Sequence, residues 1–143
     1  MEIRMFKEAD RAAVIALWKA CNLTRPWNDP NSDIDRKVRF QPDLFLIGSI
    51  GSKIIGSAMA GYDGHRGSVF YLAIEPILQG KGYGEKLMRH IEALLTRLGC
   101  PKLNIVIRST NTSVLGFYNN LDYAMDDVVS VGKRLISDKN NNI

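Results

Sequence analysis

Apolar positions recur along this chain with two periods, and each change of period predicts a new element. Ile3-Arg4-Met5-Phe6 alternates as a half-buried strand does. Val14, Leu17 and Trp18 are spaced by three and four, which predicts a helix running to about Cys21 with Asp10 as its cap. Two prolines mark Thr24 to Pro30 as a loop carrying Trp27, and Ile34 and Val38 lie one turn apart in a short helix from Ser32 to Arg39. Leu44 to Ile50 and Ile54 to Tyr62 read as a hairpin around Gly51-Ser52-Lys53. A second hairpin turns at Asp63 to Gly67 and returns through Ser68 to Ile74. Beyond Gly84 the helical period resumes, with Leu87, Ile91, Leu94, Leu95 and Leu98 on one stripe that ends before Gly99. A strand from Lys102 to Ile107, a helix from Thr112 to Leu121 and a strand from Val128 to Lys133 follow, and residues 138–143 form a polar tail expected to fray. The order β-α-α-β-β-β-α-β-α-β suits a mixed α/β sheet with helices on both faces.

Composition narrows the setting. With 143 residues, 45% hydrophobic and 24% charged, residues 1–143 fit one compact domain. No apolar run approaches the length of a membrane span and no signal-peptide pattern opens the chain, so a cytoplasmic protein without membrane attachment is expected. Cys21 and Cys100 share no metal-like spacing and no neighbouring His, which predicts reduced bystander thiols and no metal. The net charge of +4 comes from scattered basic residues not interleaved with aromatics, so nucleic acid is not the expected partner. Lys81, Lys86, Arg89 and Arg108 instead flank one segment suited to a polyanion.

That segment is Tyr71-Leu72-Ala73-Ile74-Glu75-Pro76-Ile77-Leu78-Gln79-Gly80-Lys81-Gly82-Tyr83-Gly84. A strand stops at a proline, a loop with alternating glycines follows, and a helix starts at once. Glycine permits positive φ, and the unbonded N–H groups of a helix start favour an anion. A P-loop pattern is absent, and the dinucleotide pattern G-x-G-x-x-G fails from both Gly80 and Gly82 because Glu85 and Leu87 take its last position. A glycine-rich connection without any ligand would carry the same residues.

The remaining pattern, Gln79-x-x-Gly82-x-Gly84, resembles the acetyl-CoA pyrophosphate loop of the GNAT superfamily of N-acetyltransferases. Asn111-Thr112-Ser113-Val114-Leu115-Gly116-Phe117-Tyr118-Asn119-Asn120-Leu121-Asp122-Tyr123 resembles that family's second signature, in the right order behind the first. Arg25-Pro26-Trp27-Asn28-Asp29-Pro30 and Gly61-Tyr62-Asp63-Gly64-His65-Arg66-Gly67 resemble the bacterial YpeA subgroup. The resemblance implies a mostly antiparallel sheet of six to seven strands flanked by about four helices, splayed between its fourth and fifth strands. It implies acetyl-CoA as donor, held by Leu72, Ala73, Ile74, Gln79, Gly80, Lys81, Gly82, Tyr83, Gly84, Asn111 and Tyr118.

The implied reaction moves an acetyl group from a thioester to a primary amine of a small molecule or a protein N-terminus. The oxyanion needs a donor, implied to be the N–H of Ala73 or Ile74. Tyr118 is the implied acid for the leaving thiolate. Glu75, Asp63, His65 and water are the alternatives for the base that takes the amine proton. Asn111 either contacts the pantetheine arm or caps its helix. Trp27, Asp29, Asp33, Asp63 and His65 are candidates for holding a cationic acceptor, against the plainer roles of loop anchor and solvated charge. Gln79 stands where Arg is frequent in the family, and Asp122 replaces a glycine of left-handed conformation. A non-catalytic acyl-CoA-binding sensor is the alternative to an enzyme, and homodimerisation through a sheet edge is compatible with the sequence.

Overall fold

A computed structural model of the chain describes residues 1–138. Five strands form one sheet in chain order: β1 (Glu2–Met5), β2 (Phe45–Ile50), β3 (Lys53–Tyr62), β4 (Gly67–Ile74) and β5 (Leu103–Asn104). The first four are antiparallel neighbours, whereas β5 runs parallel to β4. Four helices accompany them: α1 (Arg11–Ala20), α2 (Pro30–Lys37), α3 (Tyr83–Arg97) and α4 (Thr112–Asn120). The mixed α/β architecture matches expectation, but the strand count is five, below the six to seven expected.

Two apolar layers sandwich the sheet. On one face Val14, Leu17 and Trp18 of α1 and Ile34 of α2 pack on Phe45, Ile47 and Ala73. On the other, Leu87, Met88, Ile91 and Leu95 of α3 and Tyr118 of α4 pack on Leu46, Ala58, Ala60, Val69 and Ile74. Val69 and Ala73 of β4 face opposite layers although four residues apart, because an extra residue between them breaks the period of two.

Several local expectations are corrected. α2 starts at Pro30, not Ser32: the Asp29 carboxylate accepts from Asn31 N at 2.9 Å, and proline suits the first helical position. Asp10 precedes α1 without capping it through its side chain; its carboxylate accepts from Lys7 N at 2.8 Å and from both Arg4 guanidinium nitrogens at 2.8 and 2.9 Å. Residues 128–133 are not a strand. β5 is only two residues long and pairs with β4 solely at Gly67↔Leu103 and Ser68↔Asn104. The alternating Val129 and Val131 therefore have no paired neighbour, and both stay exposed. Of the tail expected to fray, Asp138 is buried and bonded, and residues 139–143 lie outside the described residues.

Candidate active site

The loop after β4 opens with a short 3-10 turn, Pro76–Leu78, and then crosses Gly80 and Gly82 at φ +77° and +89°. A Cβ at either glycine would meet nothing within 4 Å, so the loop rim faces open space and conformation alone demands glycine there. Gly82 precedes α3 with no side-chain cap, and the first helical bond is Lys86 N to Gly82 O. The first-turn N–H groups therefore have no side-chain acceptor, which is the condition a phosphate-bearing ligand fits. Gly84 has a different reason: a Cβ there would stand 3.1 Å from Phe117 Cζ, so this glycine lets α4 pack against the start of α3. Of the basic residues expected at the loop, Arg89 is paired with Glu92 at 3.0 Å and Arg108 lies over the Trp27 ring, 5.9 Å from its centroid. Lys81 and Lys86 have no ion-pair partner among the described residues. Gln79 turns back, its amide donating to Ile74 O at 3.0 Å, and so ties the loop to the end of β4.

β4 itself is irregular. Ser57 pairs with Ala73 and Met59 with Phe70, so Tyr71 and Leu72 together face the single residue Ala58. That is a β-bulge, and Tyr71 within it has φ +54°. Beyond the bulge, Glu75 N donates to Ile55 O at 2.8 Å. Alternation along an antiparallel ladder then turns the N–H of Ala73 toward β3 and that of Ile74 away from it, toward β5. Pairing with β5 occurs only at the start of β4, so the second half of β4 has no strand on that side. Of the two donors expected for the oxyanion, only Ile74 faces this opening.

Tyr118 on α4 packs in the same apolar layer as Ile74 and Leu72 of β4. Its ring is buried, edge-on to Phe117 at 5.0 Å and to Tyr123 at 5.4 Å. Burial pushes its phenol up to about 12. Asn111 caps α4: its Oδ1 accepts from Val114 N at 3.4 Å and from Ser113 Oγ at 3.2 Å. Asp122 adopts φ +70°, as a residue standing in for glycine must.

Glu75, immediately after β4, is half-buried, and its carboxylate has no hydrogen-bond partner among the described residues. Beside it, the Cys21 thiol donates to Ile74 O at 3.2 Å; burial first, and then the charge of Glu75, push this thiol up, which keeps it protonated. Asp63 and His65 are corrected as partners of this centre. They sit in the turn before β4, at the far end of that eight-residue strand from the glycine loop, roughly 25 Å away at the rise of a strand. There the Asp63 carboxylate accepts from the N–H of His65 and Arg66, both at 2.8 Å, and these bonds hold it below the usual carboxylate range.

The remaining acids are also engaged. Asp29 caps α2 and accepts from Ser32 Oγ at 3.2 Å. Asp33 accepts the Tyr71 hydroxyl at 2.6 Å and Arg36 at 2.9 Å. Asp138 accepts from Asp29 N at 2.7 Å, Arg36 at 2.5 Å and Arg134 at 2.9 Å. Trp27 is 52% exposed beside Arg108. Phe70 on β4 and Val106 beyond β5 are exposed, and Asn104 Oδ1, whose residue pairs with Ser68, is buried without a hydrogen bond. Trp18, Ser57 and Tyr71 carry no functional signature in the sequence. A bulge is set by pairing with another strand, and nothing in the apolar run Tyr71–Ile74 marks it. Among the described residues no cluster of His, Cys, Asp and Glu could hold a metal, and no helix is long and apolar enough to cross a membrane.

Comparison with known proteins agrees with this geometry. Residues 11–123 match the family model described as the acetyltransferase (GNAT) family. The chain is 49% identical over 139 residues to an acetyltransferase of Yersinia enterocolitica, covering 97% of this chain and 99% of that protein. Its fold is similar to the ribosomal-protein-S18-alanine N-acetyltransferase of Escherichia coli, with a TM-score of 0.70 at 17% identity over 84% of this chain and 75% of that one. It is also similar to an aminoglycoside acetyltransferase from an uncultured soil metagenomic sample, with a TM-score of 0.73 at 21% identity over 94% and 96% of the two chains.

Proposed function

The chain belongs to the acetyltransferase (GNAT) family, and from that premise we propose that it is an acetyl-CoA-dependent N-acetyltransferase acting directly on a primary amine. The observation that carries the reading is the conjunction of an uncapped helix start behind two positive-φ glycines with an unpaired half of β4 and a buried tyrosine beside it. Acetyl-CoA supplies an acyl group activated as a thioester. Gly80, Lys81, Gly82, Tyr83 and Gly84 would hold its pyrophosphate through backbone N–H groups, with Gln79 fixing the loop. Leu72, Ala73 and Ile74 would take the arm alongside β4, with Asn111 at its outer end. This is the reading we carry for the YpeA subgroup and for residues 1–143 as one cytoplasmic domain, with the free edge of β5 the surface for a homodimer.

In the transfer a C–N bond forms and the C–S bond breaks. The amine proton leaves to Glu75, directly or through water, because Glu75 is the unengaged carboxylate nearest the open half of β4. Tyr118 stays protonated at neutral pH and donates a hydrogen bond to the departing sulfur. With its phenol at about 12 and an ordinary thiol at ~8.5, complete proton transfer is uphill, so stabilisation of the thiolate is the larger contribution. The protonated state of Cys21 favours direct transfer over an acyl-cysteine route.

The acceptor would enter over Trp27, Phe70 and Val106. The two fold neighbours act on a protein alanine and on an aminoglycoside, so the fold accommodates either a protein N-terminus or a small amine. Calorimetric titration with acetyl-CoA, with NAD and ATP as controls, tests the donor assignment. Selective binding followed by amine-dependent thiol release supports the enzyme. Binding without turnover across a broad amine panel would favour the acyl-CoA sensor, and no binding would sink both.

A further inference from the structure

The bulge in β4 is held by a buried relay. Trp18 Nε1 on α1 donates to Ser57 Oγ on β3 at 2.9 Å, and Ser57 Oγ donates to Tyr71 O at 2.9 Å. Trp18 and Ser57 are both fully buried. Tyr71 is clamped twice more: its ring stacks on Trp18 at 3.8 Å between centroids, and its hydroxyl donates to Asp33 at 2.6 Å. A non-glycine residue at positive φ costs roughly 1–2 kcal/mol, so such a conformation persists only where the surroundings enforce it. Three contacts from three elements converge on this one residue, none of them from the glycine loop.

The consequence lies in the next N–H. A trans peptide is planar, with its C=O and N–H pointing in opposite directions. No cis bond occurs among the described residues. When Ser57 draws the Tyr71 carbonyl toward β3 and α1, the N–H of Leu72 must point the other way, toward the unpaired side of β4. The Leu72 side chain packs in the layer shared with α3 and Tyr118, which puts that residue on the tyrosine's side of the sheet.

We infer that Ser57, backed by Trp18, is a positioning residue that aims the Leu72 N–H at the thioester oxygen. The inference rests on the proposed acetyl-CoA reading and replaces Ala73 with Leu72 as the partner of Ile74 among the candidate donors. Ser57 touches neither donor nor acceptor and acts through one peptide plane.

The test uses the intact protein with [1-13C]acetyl-CoA and selective 15N labelling of leucine and isoleucine. In the wild type, acetyl-CoA should move the Leu72 amide proton downfield, and coenzyme A lacking the acetyl group should not. The bound acetyl carbonyl should also shift downfield from its free value. In Ser57→Ala the carbonyl shift should be lost while affinity for coenzyme A stays within about threefold, and turnover with any accepted amine should fall by about 10- to 100-fold. Ser57→Thr keeps the hydroxyl and should restore the shift. Trp18→Phe should lower the melting temperature yet keep most of it. Reduced stability of Ser57→Ala with an unchanged carbonyl shift would show Ser57 to be structural only. Should Ser57→Ala not fold, the wild-type experiment still decides, since a response at Ile74 alone overturns the inference. Failure of acetyl-CoA to bind the wild type overturns it together with the proposed function, whereas binding without a Leu72 response overturns it alone.

Discussion

Tyr118, the proposed acid, has few other engagements. Its ring is fixed by Phe117 and Tyr123, and its hydroxyl has no hydrogen-bond partner among the described residues. Tyr118→Phe therefore leaves no orphaned protein group and should change stability by less than about 1 kcal/mol. Turnover should fall by about 100-fold or more with acetyl-CoA affinity nearly unchanged, measured by steady-state rates beside calorimetry. Equal losses in both would make the residue structural. Gly82 sets up the reverse experiment. At φ +89° with open space beyond it, Gly82→Glu adds strain and a negative charge at the helix start, and acetyl-CoA binding should disappear. Retained affinity would refute the loop assignment. Gly80, Gly82 and Tyr118 stand out in the sequence as candidates because their spacing within one loop and one helix is local information. Gly84 reads the same way but is explained by Phe117, a contact 33 positions downstream in the numbering. Ser57, Trp18 and Tyr71 come from three elements, and only the folded pairing brings them to one peptide.

At the scale of elements, α2 and the terminal segment depend on each other through Asp138. The bond from Asp29 N first, then those from Arg36 and Arg134, hold the Asp138 carboxyl down at about 2. A folded pKa depressed below the ordinary carboxylate value of ~3.9 contributes stability that is fully present above that value and is lost as pH falls toward 2. Both arginines are more than a third exposed, so screening limits the contribution to about 1–2 kcal/mol. Acidification from pH 4 to pH 2 should release residues 127–137 from α2, seen as sharpened amide resonances or faster proteolysis of that segment. Asp138→Asn should reproduce the release at neutral pH, and unaltered protease resistance would contradict it. The expected helix over Ser32 to Arg39 and the expected strand over Val128 to Lys133 both had sound periodicity. The helix formed, shifted toward its proline. The strand did not, because alternation of Val129 and Val131 describes a strand's faces and supplies no partner for its backbone.

Across the whole molecule, the sheet is hydrogen-bonded unevenly. β1 through β4 share extended antiparallel ladders, interrupted by one irregularity in each of the β2–β3 and β3–β4 pairings, whereas β5 joins through two residue pairs at one end of β4. The connection from β5 through α4 is therefore tied to the rest mainly by side chains, Phe117 against Gly84 and Tyr118 in the α3 layer. Regions held by few backbone bonds open at lower free energy than the global transition. Native-state hydrogen exchange should show amides of α4 and β5 exchanging through such openings, and those of β2 and β3 only on global unfolding. A donor bound in the proposed site would touch β4, the glycine loop and α4 together, linking the two parts where the backbone does not. At 100 times its dissociation constant it stabilises the bound state by about 2.7 kcal/mol. That increment should appear in full at α4, narrowing the gap to β2 and β3, because the local opening that exposes α4 also destroys the site. Uniform protection with no narrowing would mean that α4 is already locked without ligand, and that Tyr118 owes its position to packing alone.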